Sequence, residues 1–363
     1  MKWKVIRSVL LLALIPIFII VMIDLHDKKY SVDSNNIQPN LESRMNKKNV
    51  RNANLTGGRD KQVLAHLDKY VKLHPFSGTI SSIENGKMQL QVNYGQKDSD
   101  TDITSDSAYH VGIQSVLNKA ILLHLMNSGK LKYATTLAVY FRNLSGGKKY
   151  TVGDLLESRV SYSSLKPIPY NVSVESVLHS IQKGGLVINH GHGTFSTIDV
   201  FLLAQIISKA TNTDYNEYVQ NEVLKKFGVL DIGLMDGAPF LQNYTNNFKY
   251  PKKNQNIDFD RHYPATIEYI IGVNNLYCSN ADTLKIILGI FNSNYLDNNQ
   301  LKTLIKNMSF TKSGGRLTYF SDNNGCTSLI TLYTGEMHAE IVTSNINAPR
   351  DELSEISKQI SGK

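Results

Sequence analysis

The distribution of apolar and polar positions divides the chain into three stretches. An uncharged apolar run, Ser8 to Ile23 (SVLLLALIPIFIIVMI), follows Lys2, Lys4 and Arg7. With Val5, Ile6 and a snorkelling Arg7 it approaches the ~17–20 residues that a membrane helix needs. Asp24-Leu25-His26-Asp27 follows the run, with no small-x-small cleavage pattern. Residues 1–26 therefore read as a basic n-region and an uncleaved anchor helix, in preference to a cleaved signal or a buried core helix. The basic cluster ahead of the run keeps the N-terminus inside and sends the rest of the chain across the membrane. Residues 27–61 are rich in Asn, Lys, Asp and Ser without apolar periodicity, as expected of a flexible stalk.

From residue 62 the patterning becomes that of a folded domain. Val63–Leu73 has helical spacing, and Gly78–Val92 reads as a hairpin turning at Glu84-Asn85-Gly86. Ala120–Met126 is an apolar helix stopped by Asn127-Ser128-Gly129, and Val200–Ala210 is another. Tyr215–Phe227 is amphipathic, and Asp282–Phe291 is a helix capped by Asn280 or Asp282. Alternation returns at Cys326–Tyr333 and Met337–Thr343, either side of a turn at Thr334-Gly335-Glu336. Strands at both ends with helices between predict an α+β domain whose antiparallel sheet joins N- and C-terminal segments, over residues 62–363.

Composition supports a globular domain: 41% apolar and 19% charged residues in 363, enough for a core of one large or two small domains. Two cysteines, Cys278 and Cys326, exclude a disulfide framework or a four-cysteine zinc site and leave room for one disulfide. The net charge of +8 is unevenly placed. Residues 1–61 hold eleven basic and five acidic side chains, and the remaining 302 residues carry only +2. Nucleic acid is not expected as a partner of the folded part. The stalk's cations suit anionic lipid or a wall polymer.

Six segments, in order, carry a resemblance: Phe76–Lys87, Ala108–Leu131, Tyr150–Ser158, Phe201–Gly233, Gly272–Leu288 and Asn323–Tyr333. Together they resemble the serine β-lactamase and D-Ala-D-Ala peptidase (penicillin-binding protein-like) superfamily, in its class C β-lactamase-like branch. The resemblance covers roughly residues 63–350. It implies a β-lactamase/transpeptidase-like fold with an added, mainly helical subdomain, no cofactor and no metal. It also implies a Ser-x-x-Lys pair for acylation, a Tyr-x-Asn motif for proton transfer, and a late strand with Lys/His-x-Gly.

At each of these places the chain departs from the motif. The Ser-x-x-Lys register, set by Gly129-Lys130-Leu131 and Tyr109, puts Gly112 at the nucleophile and Ser115 at the lysine. Ser115 and Lys119, one turn apart, form a substitute pair displaced by ~5 Å from the old site. The Tyr-x-Asn register, set by Leu202-Leu203-Ala204, puts Phe195-Ser196-Thr197 at the motif: Phe195 has no hydroxyl, and Thr197 replaces the amide. Counting back from Gly325 puts Tyr319-Phe320-Ser321 at the strand motif, without the cation and with Ser321 for glycine. The three departures agree on a pseudoenzyme, a membrane-anchored extracytoplasmic binding or regulatory protein at a bacterial cell wall. Gly112, Ser115, Phe195, Thr197 and Tyr319 are its expected pocket lining, and a wall peptide or polymer its expected ligand. The alternative is an active peptidase, esterase or β-lactamase using Ser115 with Lys119, or Ser196. A third reading is a surface protein whose cleft is filled by Arg159 and Phe195.

Other conspicuous residues have plainer readings. His190-Gly191-His192-Gly193 lacks a nearby carboxylate or thiolate and reads as a glycine-rich loop rather than a metal site. His124, inside an apolar helix, reads as a satisfied core histidine. The sequons at Asn54, Asn143 and Asn171 carry no meaning in a bacterial protein.

Overall fold

The computed structural model describes residues 52–55, 58–184, 186–190, 196–229, 233–234, 243–252, 257–259, 268–292, 294–308, 310–323, 325–333 and 336–361. The apolar run Ser8–Ile23 lies outside them. Among the described residues no helix is long and apolar enough to cross a membrane.

Seven strands form an antiparallel sheet that joins the two ends of the folded chain, as the patterning predicts. Its N-terminal members are β1 (Asn52–Leu55), β2 (Gly78–Glu84) and β3 (Lys87–Tyr94), with helix α1 (Gly58–Leu73) between the first two. The chain then crosses to a largely helical region: α2 (Gln114–Asn127), α3 (Val152–Leu156), β4 (Val160–Ser164), α4 (Val174–Gly184), β5 (Leu186–His190) and α5 (Thr197–Thr211). A short α6 (Tyr215–Tyr218) runs on as a π-helical stretch to Leu224 and a 3-10 turn to Phe227, within the single amphipathic helix read from the sequence. Two-residue strands β6 (Gly233–Leu234) and β7 (Leu276–Tyr277) precede α7 (Asn280–Asn292) and α8 (Asn298–Asn307). The chain returns to the sheet as β8 (Thr311–Ser313), β9 (Arg316–Asn323), β10 (Cys326–Tyr333) and β11 (His338–Ser344), and ends in α9 (Arg350–Ser361).

The sheet order is β1-β3-β2-β11-β10-β9-β8, so β11 lies between the N-terminal hairpin and the C-terminal strands. The β2–β3 turn lies at Asn85-Gly86, both with φ > 0 (50° and 74°), which is why Asn-Gly is a dependable hairpin signal. Two apolar layers cover the sheet. Leu64, Leu67 and Val71 of α1 meet Leu353, Ile356 and Ile360 of α9 over Ile80, Val92, Leu329 and Val342. The larger layer gathers α2, α5 and α7 around Leu117, Ile121, Leu202, Ile206, Leu284 and Ile287.

Two sequence expectations are corrected. The segment 27–61 is not polar stalk throughout, because Asn52–Leu55 pairs with β3 and α1 begins at Gly58. Strand pairing uses backbone groups and needs no apolar periodicity, so the pattern carries no trace of it. The disulfide for which the two cysteines leave room is not formed: Cys278 and Cys326 are both buried and free. Burial pushes the Cys278 thiol up to about 12, and Thr283 lies 3.0 Å from its sulfur.

Candidate functional site

Helix α2 starts at Gln114, two turns before its apolar run. Those first turns are polar and yet buried, because they hold a network. The Gln114 amide donates to Asn275 Oδ1 (2.7 Å) and Tyr215 Oη (3.2 Å), and Tyr215 donates to Asn118 Oδ1 (2.5 Å). The Asn118 amide donates to the Gly272 carbonyl (2.7 Å), and the Gly272 N–H to Asn275 Oδ1 (2.8 Å). A network satisfied in this way rigidifies its surroundings. Here it fixes the loop 272–275 against α2, just where Gly112 precedes the helix.

The opposite wall is β9. It pairs with β8 only through Arg316–Thr318, so from Tyr319 onward its outer edge is unpaired within the sheet. The β9–β10 connection has two residues and closes on Asn323 and Cys326. In such a hairpin the closing residues bond each other, and alternate residues face away. The N–H and C=O groups of Phe320 and Asp322 therefore point outward from the sheet edge, while the side chains of Tyr319, Ser321 and Asn323 point together to one face.

Between these walls lies an open cleft of about 370 Å³, lined by Gly112, Ser115, Tyr170, Thr197, Val200, Val273, Asn274 and residues 319–323. It thus brings together Gly112, Ser115, Thr197, Tyr319 and Ser321, positions scattered over two hundred residues of sequence. Phe195 and His192 lie outside the described residues. Sequence reading misses Tyr170, Val200, Val273, Asn274, Asp322 and Asn323. The only cue is position, since Asn274 and Asn323 lie inside the segments that carry the resemblance.

At the centre of the cleft Ser321 occupies the space beside Gly112. A Cβ on Gly112 would stand 2.8 Å from Ser321 Cβ and 3.1 Å from its Oγ. The space that a residue at 112 would use is filled from the opposite strand. Ser321 Oγ is 2.7 Å from Ser328 Oγ, and Tyr319 Oη donates to the Gly112 carbonyl (2.9 Å). Burial raises the Tyr319 phenol, an effect moderated by a hydrogen bond with Ser115. It is held protonated, as a donor rather than a base.

The other candidates are engaged elsewhere. Lys119 does not line the cleft; its side chain is buried and Nζ donates to the Asn307 carbonyl (2.8 Å), tying α2 to the end of α8. Ser196 caps α5: its Oγ accepts from the Asp199 N–H (3.1 Å) and donates to the Tyr162 carbonyl (2.5 Å). Asp199 completes the cap and also accepts from Ser161 and the Tyr162 N–H, with burial holding its carboxyl above the usual range. Arg159 neither fills nor rims the cleft. It is half exposed and pairs with Asp154 (2.9 Å) and Glu157 (3.2 Å), since three local partners outcompete a distant pocket. His124 is satisfied as expected, with Nδ1 2.9 Å from the Tyr295 carbonyl and its ring stacked on Tyr295 at 4.2 Å.

Burial lowers the Lys119 ammonium from 10.5 to about 8, partly opposed by Asp199. Below pH 8 the group is charged in both folded and unfolded states, and burying it costs about 3 kcal/mol. As pH rises from about 8 towards 10.5 the folded protein has released the proton while the unfolded chain still holds it. The stability of the native protein relative to Lys119→Met is therefore expected to improve by up to about 3 kcal/mol over that window. Urea unfolding of both proteins at pH 7 and pH 10 checks this; a constant difference contradicts it.

The Beta-lactamase family profile matches residues 83–320 of the chain. A teichoic acid D-alanine hydrolase of Staphylococcus aureus is 22% identical over 228 residues, which are 62% of this chain and 56% of the relative. The chain thus spans little more than half the length of that relative. The crystal structure of FmtA from Staphylococcus aureus superposes with a TM-score of 0.66 at 18% identity, over 89% of this chain and 95% of the other. A D-amino acid amidase from Ochrobactrum anthropi, complexed with L-phenylalanine amide, gives 0.69 at 14% identity, over 84% and 99%. At such identities the structural likeness speaks for the fold.

Proposed function

The chain belongs to the beta-lactamase family, and from that premise we propose that it is a member without acylation chemistry, anchored in a bacterial membrane by its N-terminal helix. Its cleft, on the outer side, binds an acyl group of the cell envelope without forming a bond to it. The observation that carries this reading is that Ser321 fills the space beside Gly112, the position that motif register gives to the nucleophile. The nucleophile is missing, and the room a nucleophile needs is taken by a serine whose hydroxyl neighbours Ser328. Losing the nucleophile alone typically costs on the order of 10⁶ in turnover.

What remains suits recognition. The outward N–H of Asp322 stands at a cleft that Gly112 also lines, so a carbonyl oxygen can still find a donor. The edge of β9 offers alternating donors and acceptors to an extended ligand. The described lining residues include one carboxylate, Asp322, and no Lys, Arg or His. Among these described residues a free carboxylate finds no cation. A D-alanyl group joined through its carboxyl, which keeps an ammonium and no carboxylate, fits better; the S. aureus relative is named for a substrate of that kind.

Purified protein is expected neither to hydrolyse nitrocefin, p-nitrophenyl esters or D-Ala-D-Ala peptides, nor to acquire an adduct from fluorescent penicillin or a fluorophosphonate. The second reading is an active hydrolase using Ser115, which lines the cleft, with Lys119, whose ammonium is lowered towards neutrality. Turnover lost on Ser115→Ala would establish it. Turnover unaffected by both Ser115→Ala and Ser196→Ala would exclude both serines.

A further inference from the structure

The folded domain is nearly neutral as a whole, but one lobe of it is not. Residues 107–153 contain six basic side chains and no Asp or Glu. Lys119 is buried; Lys130, Lys132, Arg142, Lys148 and Lys149 are all exposed. Among the described residues none of these five pairs with a carboxylate, in contrast to Arg159, Lys226, Lys285 and Lys358. Lys209 of α5 joins them from outside the segment, donating to the Tyr140 carbonyl and lying 4.7 Å over the Phe141 ring.

The lobe is a braced surface. The Lys130 N–H bonds the Leu125 carbonyl (3.0 Å), the Ala138 N–H the Gly147 carbonyl (2.8 Å), and the Leu137 N–H the Tyr150 carbonyl (2.9 Å). Thr151 and Asp154 then close it with a capping box. Asp154 and Glu157, just past the segment, are taken up by Arg159, so the five exposed cations carry an excess of positive charge that an external polyanion can neutralise. Because the backbone that carries the cations is braced, a ligand would order side chains of its host on binding but little of its main chain.

We propose that this lobe docks a polymer of repeating phosphate groups, separately from the acyl group taken by the cleft. A lipid surface fits less well, because the large apolar side chains exposed here are only Val139 and Tyr133, and Tyr133 accepts from Arg159. The exposed cations begin where α2 ends, and Gly112 precedes the start of that helix. Fourteen helical residues put the two sites roughly 20 Å apart, a span that a repeating polymer covers and a single small anion does not. The polymer is thereby placed to present its substituents to the cleft. This docking does not depend on the cleft's own chemistry.

The test uses the full chain in nanodiscs of uncharged phosphatidylcholine, with synthetic poly(glycerol phosphate) as the probe. The variant K130Q/K132Q/R142Q/K148Q/K149Q is compared with the stalk variant K28Q/K29Q/R44Q/K47Q/K48Q, five changes that all precede β1. The lobe variant should raise Kd at least tenfold and lower the slope of log K against log salt by about four, at roughly 0.7–0.9 for each of five phosphates no longer neutralised. Its melting temperature should match the native value, since all five sites are exposed. The proposal is overturned if the lobe variant keeps native affinity while the stalk variant loses it. It is equally overturned if the lobe variant loses only capture on phosphatidylglycerol vesicles. Failure of either kind leaves the acylation results untouched, so the two proposals are separable.

Discussion

Gly112→Ser is expected to destabilise the protein by about 1–3 kcal/mol and to restore no acylation. The new Cβ would stand 2.8 Å from Ser321 Cβ, so either the strand or the segment before α2 must give, a typical overpacking cost. Ser321→Gly removes the obstruction together with the hydroxyl pair to Ser328, at a cost of about 1 kcal/mol. Combined, the two changes should be less harmful than their sum by about 1 kcal/mol or more, because each makes room for the other. Urea unfolding of the four proteins in this cycle measures the coupling. Additivity would mean that the positions do not share one space, contrary to this account of the cleft. Even the paired variant lacks a lysine at Ser115, so labelling is expected to stay at background.

The second large effect lies in the loop that walls the cleft. Gly272 has φ +81°, and a Cβ there would stand 2.2 Å from Ala204 Cβ on α5. Gly272→Ala is expected to cost about 2–5 kcal/mol, the sum of a left-handed backbone penalty and overpacking. The carbonyl of Gly272 accepts from Asn118, and Val273 and Asn274 line the cleft, so any ligand binding should fall with stability. Ala204→Gly in the same chain should relieve the overpacking and leave the backbone penalty. A Gly272→Ala protein as stable as the native one would refute this account of the loop.

Much of this architecture is legible in the chain, and the failures share a cause. The hairpins and the apolar helices can be read because burial on one face imposes periodicity. The first turns of α2 cannot, since Gln114, Asn118 and Lys119 are buried by hydrogen bonding rather than by apolarity. Apolar spacing alone therefore begins that helix at Ala120. The same blindness hides β1, held by backbone pairing; α8 is an omission, since Leu301, Leu304 and Ile305 have helical spacing behind an Asp297–Gln300 capping box. The C-terminal helix α9 is a plain omission: Leu353, Ile356 and Ile360 follow Pro349 at helical spacing.

The site divides along the same line. Motif register places Gly112, Ser115, Thr197, Tyr319 and Ser321 by their distance from recognisable neighbours, and all five meet in one cleft. Their mutual fit cannot be read, because a clash between a residue before a helix and a strand two hundred positions later is a property of the fold. Nor can the outward backbone of Phe320 and Asp322, which follows from pairing alternation and is blind to side-chain identity.

The central claim is that no serine of this chain is poised to attack an acyl carbon. The direct measurement is intact-protein mass after incubation with fluorescent penicillin and, separately, with a fluorophosphonate. The account predicts the unmodified mass in both cases, with peptide mapping showing every serine unchanged. A stoichiometric adduct on Ser115, Ser196, Ser321 or any other serine would contradict it.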